Sequence, residues 1–139
     1  VLGTRGLGAT TVLADSSRAT IAAMRKSGVK RLVILSSALL DSHIGLINRI
    51  VSRTILRHFS SDQRAMEALV TASDLDWTVL RPPRMTGSAP DGPSTSVLDD
   101  PPSKAGMQIT REEVARVMLD TVENQRYVRQ LVHVRGANR

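Results

Sequence analysis

The chain begins VLGTRGLGATT, residues 1–11, and the reading of this stretch decides the fold. Two apolar residues lead into Gly3, Gly6 and Gly8, and a helical pattern follows. A dinucleotide-binding turn has the spacing G-x-G-x-x-G between a strand and a helix, with an acidic residue about 20 positions further on to hold the ribose. Here the spacing is G-x-x-G-x-G, only Val1 and Leu2 precede it, and the next apolar run ends in Ser36 and Ser37. The stretch therefore reads as a glycine turn into a helix N-terminus, whose free amides could still meet an anion. If Val1-Leu2 is the tail of a strand, the turn sits at the carboxyl end of a parallel sheet, where open α/β folds bind their ligands.

The rest of the chain alternates helical and extended patterns. Thr10 to Lys26 is helical, with Val12, Leu13, Ile21 and Met24 apolar, and Gly28 stops it. RLVILSS, residues 31–37, holds an unbroken apolar run that predicts a strand buried on both faces. Residues 44–58 predict an amphipathic helix, with Ile44, Ile47, Ile50, Val51 and Ile55 on one side and Arg49, Arg53 and Arg57 on another. A further helix, Asp62 to Ala72, buries Met66, Leu69 and Val70. WTVLRP, residues 77–82, predicts a second buried strand, ended by Pro82 and Pro83. Residues 86–106 form a long loop with a short edge strand at Ser94 to Leu98. Thr110 and Glu113 have capping-box spacing ahead of a helix that buries Val114, Val117, Met118 and Val122. QLVHV, residues 130–134, is the last strand. The alternation predicts βαβ units, a parallel sheet and right-handed crossovers.

Composition narrows the function. With 139 residues the chain is one domain, and without cysteine it has no disulfide, thiolate metal site or cysteine nucleophile. No run approaches the ~18 apolar residues of a membrane-spanning helix, and no secretory signal is visible. A cytoplasmic protein without membrane partners is the expectation. The net charge of +6 raises the question of nucleic acid. The basic residues are scattered, however, and Phe59, Trp77 and Tyr127 are too few for a stacking platform. Nucleic acid is not expected as a partner, and an anionic small ligand explains the sign as well. His43, His58 and His133 share no metal-like spacing and read as surface or helix-end residues, so no metal site is expected. No histidine is poised for a hydrolase triad.

Five segments together resemble the atypical short-chain dehydrogenase/reductase group of NAD(P)H-binding proteins. They are LGTRG at 2–6, RLVILSSALL at 31–40, DQRAMEAL at 62–69, SDLDWTVLRPPRMT at 73–86 and QITREEVARVML at 108–119. Within the group they look most like the NmrA-like proteins and the biliverdin-IXβ and flavin reductases. The resemblance implies a Rossmann-like α/β fold, a parallel sheet with flanking helices. It also implies that the sheet is incomplete at its N-terminus, because members start with a strand and a G-x-x-G-x-x-G phosphate loop, followed by two more βα units. On this view residues 1–139 are the C-terminal part of such a domain. The sheet edge beside Val1 is then unpaired and open to self-association.

The resemblance also distributes roles. The wider group uses a Tyr-x-x-x-Lys pair, and by resemblance those places here fall on Phe59 and Gln63, so tyrosine-based proton transfer is not expected. Ser37 remains as the candidate catalytic residue, a hydroxyl near the nicotinamide; the alternative is a strand-end serine that satisfies local backbone. Gly3, Thr4, Arg5, Leu35, Ser36, Pro82 and Pro83 are the implied cofactor cradle, for NADP or NAD. Arg84 replaces the histidine of a Pro-Pro-His turn and can orient an anionic acceptor but cannot act as an acid. Two functions follow from the resemblance. One is a reductase passing hydride to a flavin-like or other planar small-molecule acceptor; the other is a non-catalytic, NmrA-like dinucleotide sensor that controls a partner protein.

Overall fold

The computed structural model describes residues 10–38, 57–87, 95–98 and 108–136. Helix α1 (Val12–Ser27) ends at Gly28, whose φ of 75° lies in the left-handed region that glycine enters without a Cβ clash. The chain then runs through β1 (Arg31–Leu35), α2 (Arg57–Thr71) and β2 (Asp76–Arg81). β3 (Arg84–Thr86), β4 (Thr95–Leu98) and β5 (Gln108–Thr110) follow, and α3 (Arg111–Glu123) and β6 (Gln130–Gly136) close the order.

The main sheet has the order β1-β2-β6-β4. β1 and β6 both lie parallel to β2, with Arg31 opposite Asp76 and Thr78 opposite Gln130. β4 runs antiparallel along the outer side of β6, with Thr95 opposite Gly136. β3 and β5 form a separate parallel pair. This is the open Rossmann-like α/β sheet that the alternation of helices and strands predicts. The expected edge strand at Ser94 to Leu98 is present as β4. The helix expected over 44–58 lies outside the described residues except for Arg57 and His58, which open α2.

Two cores lie on opposite faces of the sheet. On one, Ile21 of α1 and Val70 of α2 pack with Leu75 and Val79, joined by Leu32 and Ile34 of β1. On the other, Val114 and Val117 of α3 pack on Leu80, Ile109, Val132 and Val134, joined by Val33 and Leu35. Alternate residues of β1 thus serve opposite layers, as the pleat requires.

Three expectations need correction. All five residues of β1 are half-buried rather than buried, because among the described residues β1 has a neighbour on one side only. Val122 is 47% exposed, while Thr121 is fully buried with its hydroxyl on the Val117 carbonyl. The inward stripe of α3 is therefore 114, 117, 118 and 121, a spacing that excludes 122. His133 is a buried residue of β6, not a surface one.

Capping and cross-links fix the layers. Thr110 caps α3, accepting from the Glu113 amide at 3.1 Å, and the Glu113 carboxylate returns the bond to the Thr110 amide at 2.8 Å. The capping box read from the sequence is therefore present. At the amino end of the sheet, the Arg31 guanidinium donates to the carbonyls of Asp76, Thr121 and Arg126, tying β1, β2 and the end of α3 together. Desolvation by burial lowers its pKa from the ordinary arginine value, and Asp76 partly opposes this.

Candidate functional site

The site is built where β1 and β2 end. Their parallel pairing continues past the strands themselves. The Ser36 amide donates to the Leu80 carbonyl at 2.7 Å, and the Ala38 amide to the Pro82 carbonyl at 3.0 Å. Ser37 is thereby held half-buried between two buried neighbours, Ser36 and Ala38. Pro82 is fully buried and Pro83 half-buried. Neither proline has an N–H, so the ladder stops there and the chain turns into β3. Arg84, the first residue of β3, is exposed. Leu35, Ser36, Ser37, Pro82, Pro83 and Arg84 thus gather at one end of the sheet, while Gly3, Thr4 and Arg5 lie outside the described residues.

A buried ionic network underlies these strand ends. The Glu67 carboxylate of α2 accepts from Arg81 Nε at 3.0 Å and Nη2 at 2.6 Å, a forked contact from the last residue of β2. The Ser36 hydroxyl donates to the same carboxylate. The Glu67 and Arg81 side chains are 10% and 16% exposed. The hydroxyl of Ser36 is therefore committed to the protein. His133 stands opposite Arg81 in the register and is buried beside it.

The N-terminus of α1 answers the question raised by the glycine-rich opening. The Val12 amide donates to Thr10 Oγ1 at 3.3 Å, and the Leu13 and Ala14 amides donate to the two oxygens of Asp62, each at 3.0 Å. The Asp15 amide bonds the Thr11 carbonyl at 2.8 Å. Of the four amides that a helix start leaves open, those of Val12, Leu13 and Ala14 are closed by the chain, and the Asp15 bond is the first of the helix itself. A buried carboxylate on α2 already occupies the place an anion would take, so the expectation that these amides could meet an anionic ligand is corrected. A diphosphate approaching α1 would meet the Asp62 carboxylate already seated on the Leu13 and Ala14 amides.

Neither Asp62 nor Glu67 stood out in the sequence as a functional residue. The available signal was spacing. Asp62 lies four residues before buried Met66 and eight before buried Val70, so it shares their inward face. A carboxylate on that face must find donors.

At the strand ends Ser37 and Pro83 are half-buried and Arg84 is exposed, while at α1 the Leu13 and Ala14 amides are taken by Asp62. Among the described residues there is no metal-binding cluster of acidic and histidine side chains, and no helix is long and apolar enough to cross a membrane.

An open sheet with three parallel strands and helices packed on both faces places the protein among the Rossmann-like α/β proteins. Residues 2–125 match a family described as NAD(P)H-binding. The chain belongs to that family. Two solved short-chain dehydrogenases/reductases from Veillonella parvula share the fold. One, an ethylated form, has a TM-score of 0.75 at 14% identity over 94% of this chain and 60% of that one. The other, a wide-type enzyme in complex with NADP, has a TM-score of 0.74 at 15% identity over 87% and 57%. A Rossmann-fold NAD(P)-binding family protein from Shigella flexneri has a TM-score of 0.65 at 22% identity over 93% and 57%. The chain spans less than two thirds of the length of each. No curated protein matches it.

Proposed function

We propose that the protein is an NAD(P)H-dependent oxidoreductase of the flavin or biliverdin reductase type, acting on a planar small-molecule acceptor. The observation that carries this reading is the joined carboxyl ends of β1 and β2, with Ser37 half-buried at the tip, in a chain of the NAD(P)H-binding family. Leu35, Ser36, Pro82 and Pro83, with Gly3, Thr4 and Arg5, would hold the nicotinamide half of the cofactor. When bound, NADPH or NADH supplies the hydride, and the protein supplies placement. The Ser37 hydroxyl donates a hydrogen bond to a carbonyl or ring nitrogen of the acceptor, polarising it or passing it a proton. Arg84 orients an acidic substituent.

The chain would be the C-terminal portion of a larger Rossmann-like domain. Among the described residues β1 has a neighbour on one side only, which supports this, as does the share of each solved relative that the chain spans. Further strands joining β1 would bring the diphosphate loop that α1 does not provide. A second copy adding to the same edge is the self-association this geometry permits.

The test is NADPH oxidation with flavin mononucleotide as acceptor. Ser37→Ala is expected to lower kcat about 10- to 100-fold, within the range of one positioned proton donor, with little change in cofactor affinity. Unchanged turnover would remove Ser37 from the mechanism. Cofactor binding without turnover in the wild type would favour the NmrA-like sensor, a reading that Phe59 and Gln63 at the Tyr and Lys places support.

A further inference from the structure

α1 and α2 lie side by side over one face of the sheet, packed together through Ile21 and Val70. Their outer surfaces leave a groove of about 440 Å³. Ile21, Leu69, Ala22, Ala68 and Ala72 form its floor, and Arg18 and Arg25 stand on its α1 side. Ile21 is buried and Leu69 half-buried, while the three alanines are exposed. Nothing longer than a methyl group rises from the exposed floor, so another helix can approach closely, as packed helices with small contact residues do. Ala68, Leu69 and Ala72 lie at the end of α2, just ahead of β2. The groove therefore sits toward the amino ends of the strands, away from the candidate site at their carboxyl ends.

The charge of the groove selects its occupant. Arg18 and Arg25 stand seven residues apart, two turns or about 10 Å along α1, on one side of the helix. Each is paired with one carboxylate, Arg18 with Asp15 and Arg25 with Asp74. The four side chains are 56–70% exposed. Ion pairs this open contribute little, so both guanidiniums can exchange partners at small cost. Among the described residues no carboxylate lines the groove itself. A two-fold pairing of copies would set this surface against itself, cation against cation. Nothing apolar projects from it to enter a bilayer, since its exposed residues are alanines and arginines.

We infer that this groove docks an acidic amphipathic helix of a partner protein. The partner's seam of small and apolar residues lies on Ile21, Leu69 and the three alanines, and two of its carboxylates, seven positions apart, meet Arg18 and Arg25. The floor supplies contact area, and the cations select the partner and fix its register. Docking there leaves the candidate site open, because the two lie at opposite ends of the strands.

The probe is a designed, fluorescein-labelled helical peptide of about five turns, with an Ala/Leu seam and two flanking glutamates seven positions apart. Its twin carries glutamine at both places. Fluorescence anisotropy with residues 1–139 gives the affinities, and thermal melts report folding. The acidic peptide is expected to bind about tenfold tighter than its twin, with the difference lost at high salt. Arg18→Gln and Arg25→Gln each cut that preference to about threefold and leave the twin's affinity unchanged. Ala68→Trp and Ala22→Trp fill the groove from either side and abolish binding of both peptides at unchanged Tm. Arg116→Gln, on α3 across the sheet, changes neither affinity, which separates the groove from general attraction to a chain of net charge +6. Equal binding of the two peptides, no binding at millimolar protein, an equal loss in Arg116→Gln, or binding kept by both tryptophan variants overturns the inference. So does dimerisation of the wild type that Ala68→Trp abolishes, read by sedimentation, or uptake of phosphatidylserine vesicles in place of the peptide.

Discussion

Removing the Glu67 carboxylate is the sharpest test of how the strand ends are held. In Glu67→Ala, the Arg81 guanidinium at 16% exposure loses both arms of its fork, and the Ser36 hydroxyl loses its acceptor. Breaking a buried ion pair from one side costs about 3–5 kcal/mol, because the remaining charge stays desolvated. For a domain of this size, each kcal/mol moves Tm by roughly 2–6 °C, so the melt should fall by about 10–20 °C. Arg81→Met should cost a similar amount, since it takes the cation away from a buried carboxylate. The double variant Glu67→Leu/Arg81→Met removes both charges and should recover most of the loss. Urea unfolding of the four species gives the coupling directly. A cost below about 1 kcal/mol for Glu67→Ala, the worth of an exposed ion pair, would refute the claim that this network organises the site. A double variant no more stable than either single would refute the charge-based account of it.

Three more outcomes follow from the same geometry. Asp62→Ala opens the Leu13 and Ala14 amides and should cost about 2 kcal/mol, read from chemical denaturation, with faster hydrogen exchange confined to the first turn of α1. Gly136→Ala places a Cβ 2.4 Å from the Gln108 carbonyl oxygen and should destabilise by about 1–3 kcal/mol, because backbone must move; a neutral melt would contradict this close approach of β6 to β5. Gln125, exposed and at φ 48°, sits in a turn that also holds Tyr127 and Arg129 at positive φ, so Gln125→Gly should raise stability by up to about 1 kcal/mol in the same denaturation assay.

The sheet was legible because its signals are local. The apolar run at 32–35 and the WTVL stretch at 77–80 are too short for buried helices and are bounded by Gly28 and Pro82. The capping box at Thr110 needs only a three-residue offset. The burial of β1 was overestimated because an apolar run reports what a strand prefers, not how many neighbours it has. Val122 was misplaced because valine at a near-periodic position outweighed the better-phased Thr121, whose hydroxyl is satisfied inside the helix. The site was partly legible. Ser37, Pro82 and Pro83 lie at strand ends, and strand ends can be read from the runs that precede them. Asp62 and Glu67 could not be given partners from sequence, because their partners lie 14 to 52 residues away in the chain. Only the docking of α2 on α1 and on the sheet selects those pairs.

The bond from Asp62 to α1 also orders events in time. The first turn of α1 borrows its terminating acceptor from a residue made 49 positions later. As the chain leaves the ribosome, α1 must wait with a frayed start until the following crossover arrives and clamps it. The start of α1 is settled only at that moment, by a helix that comes after it.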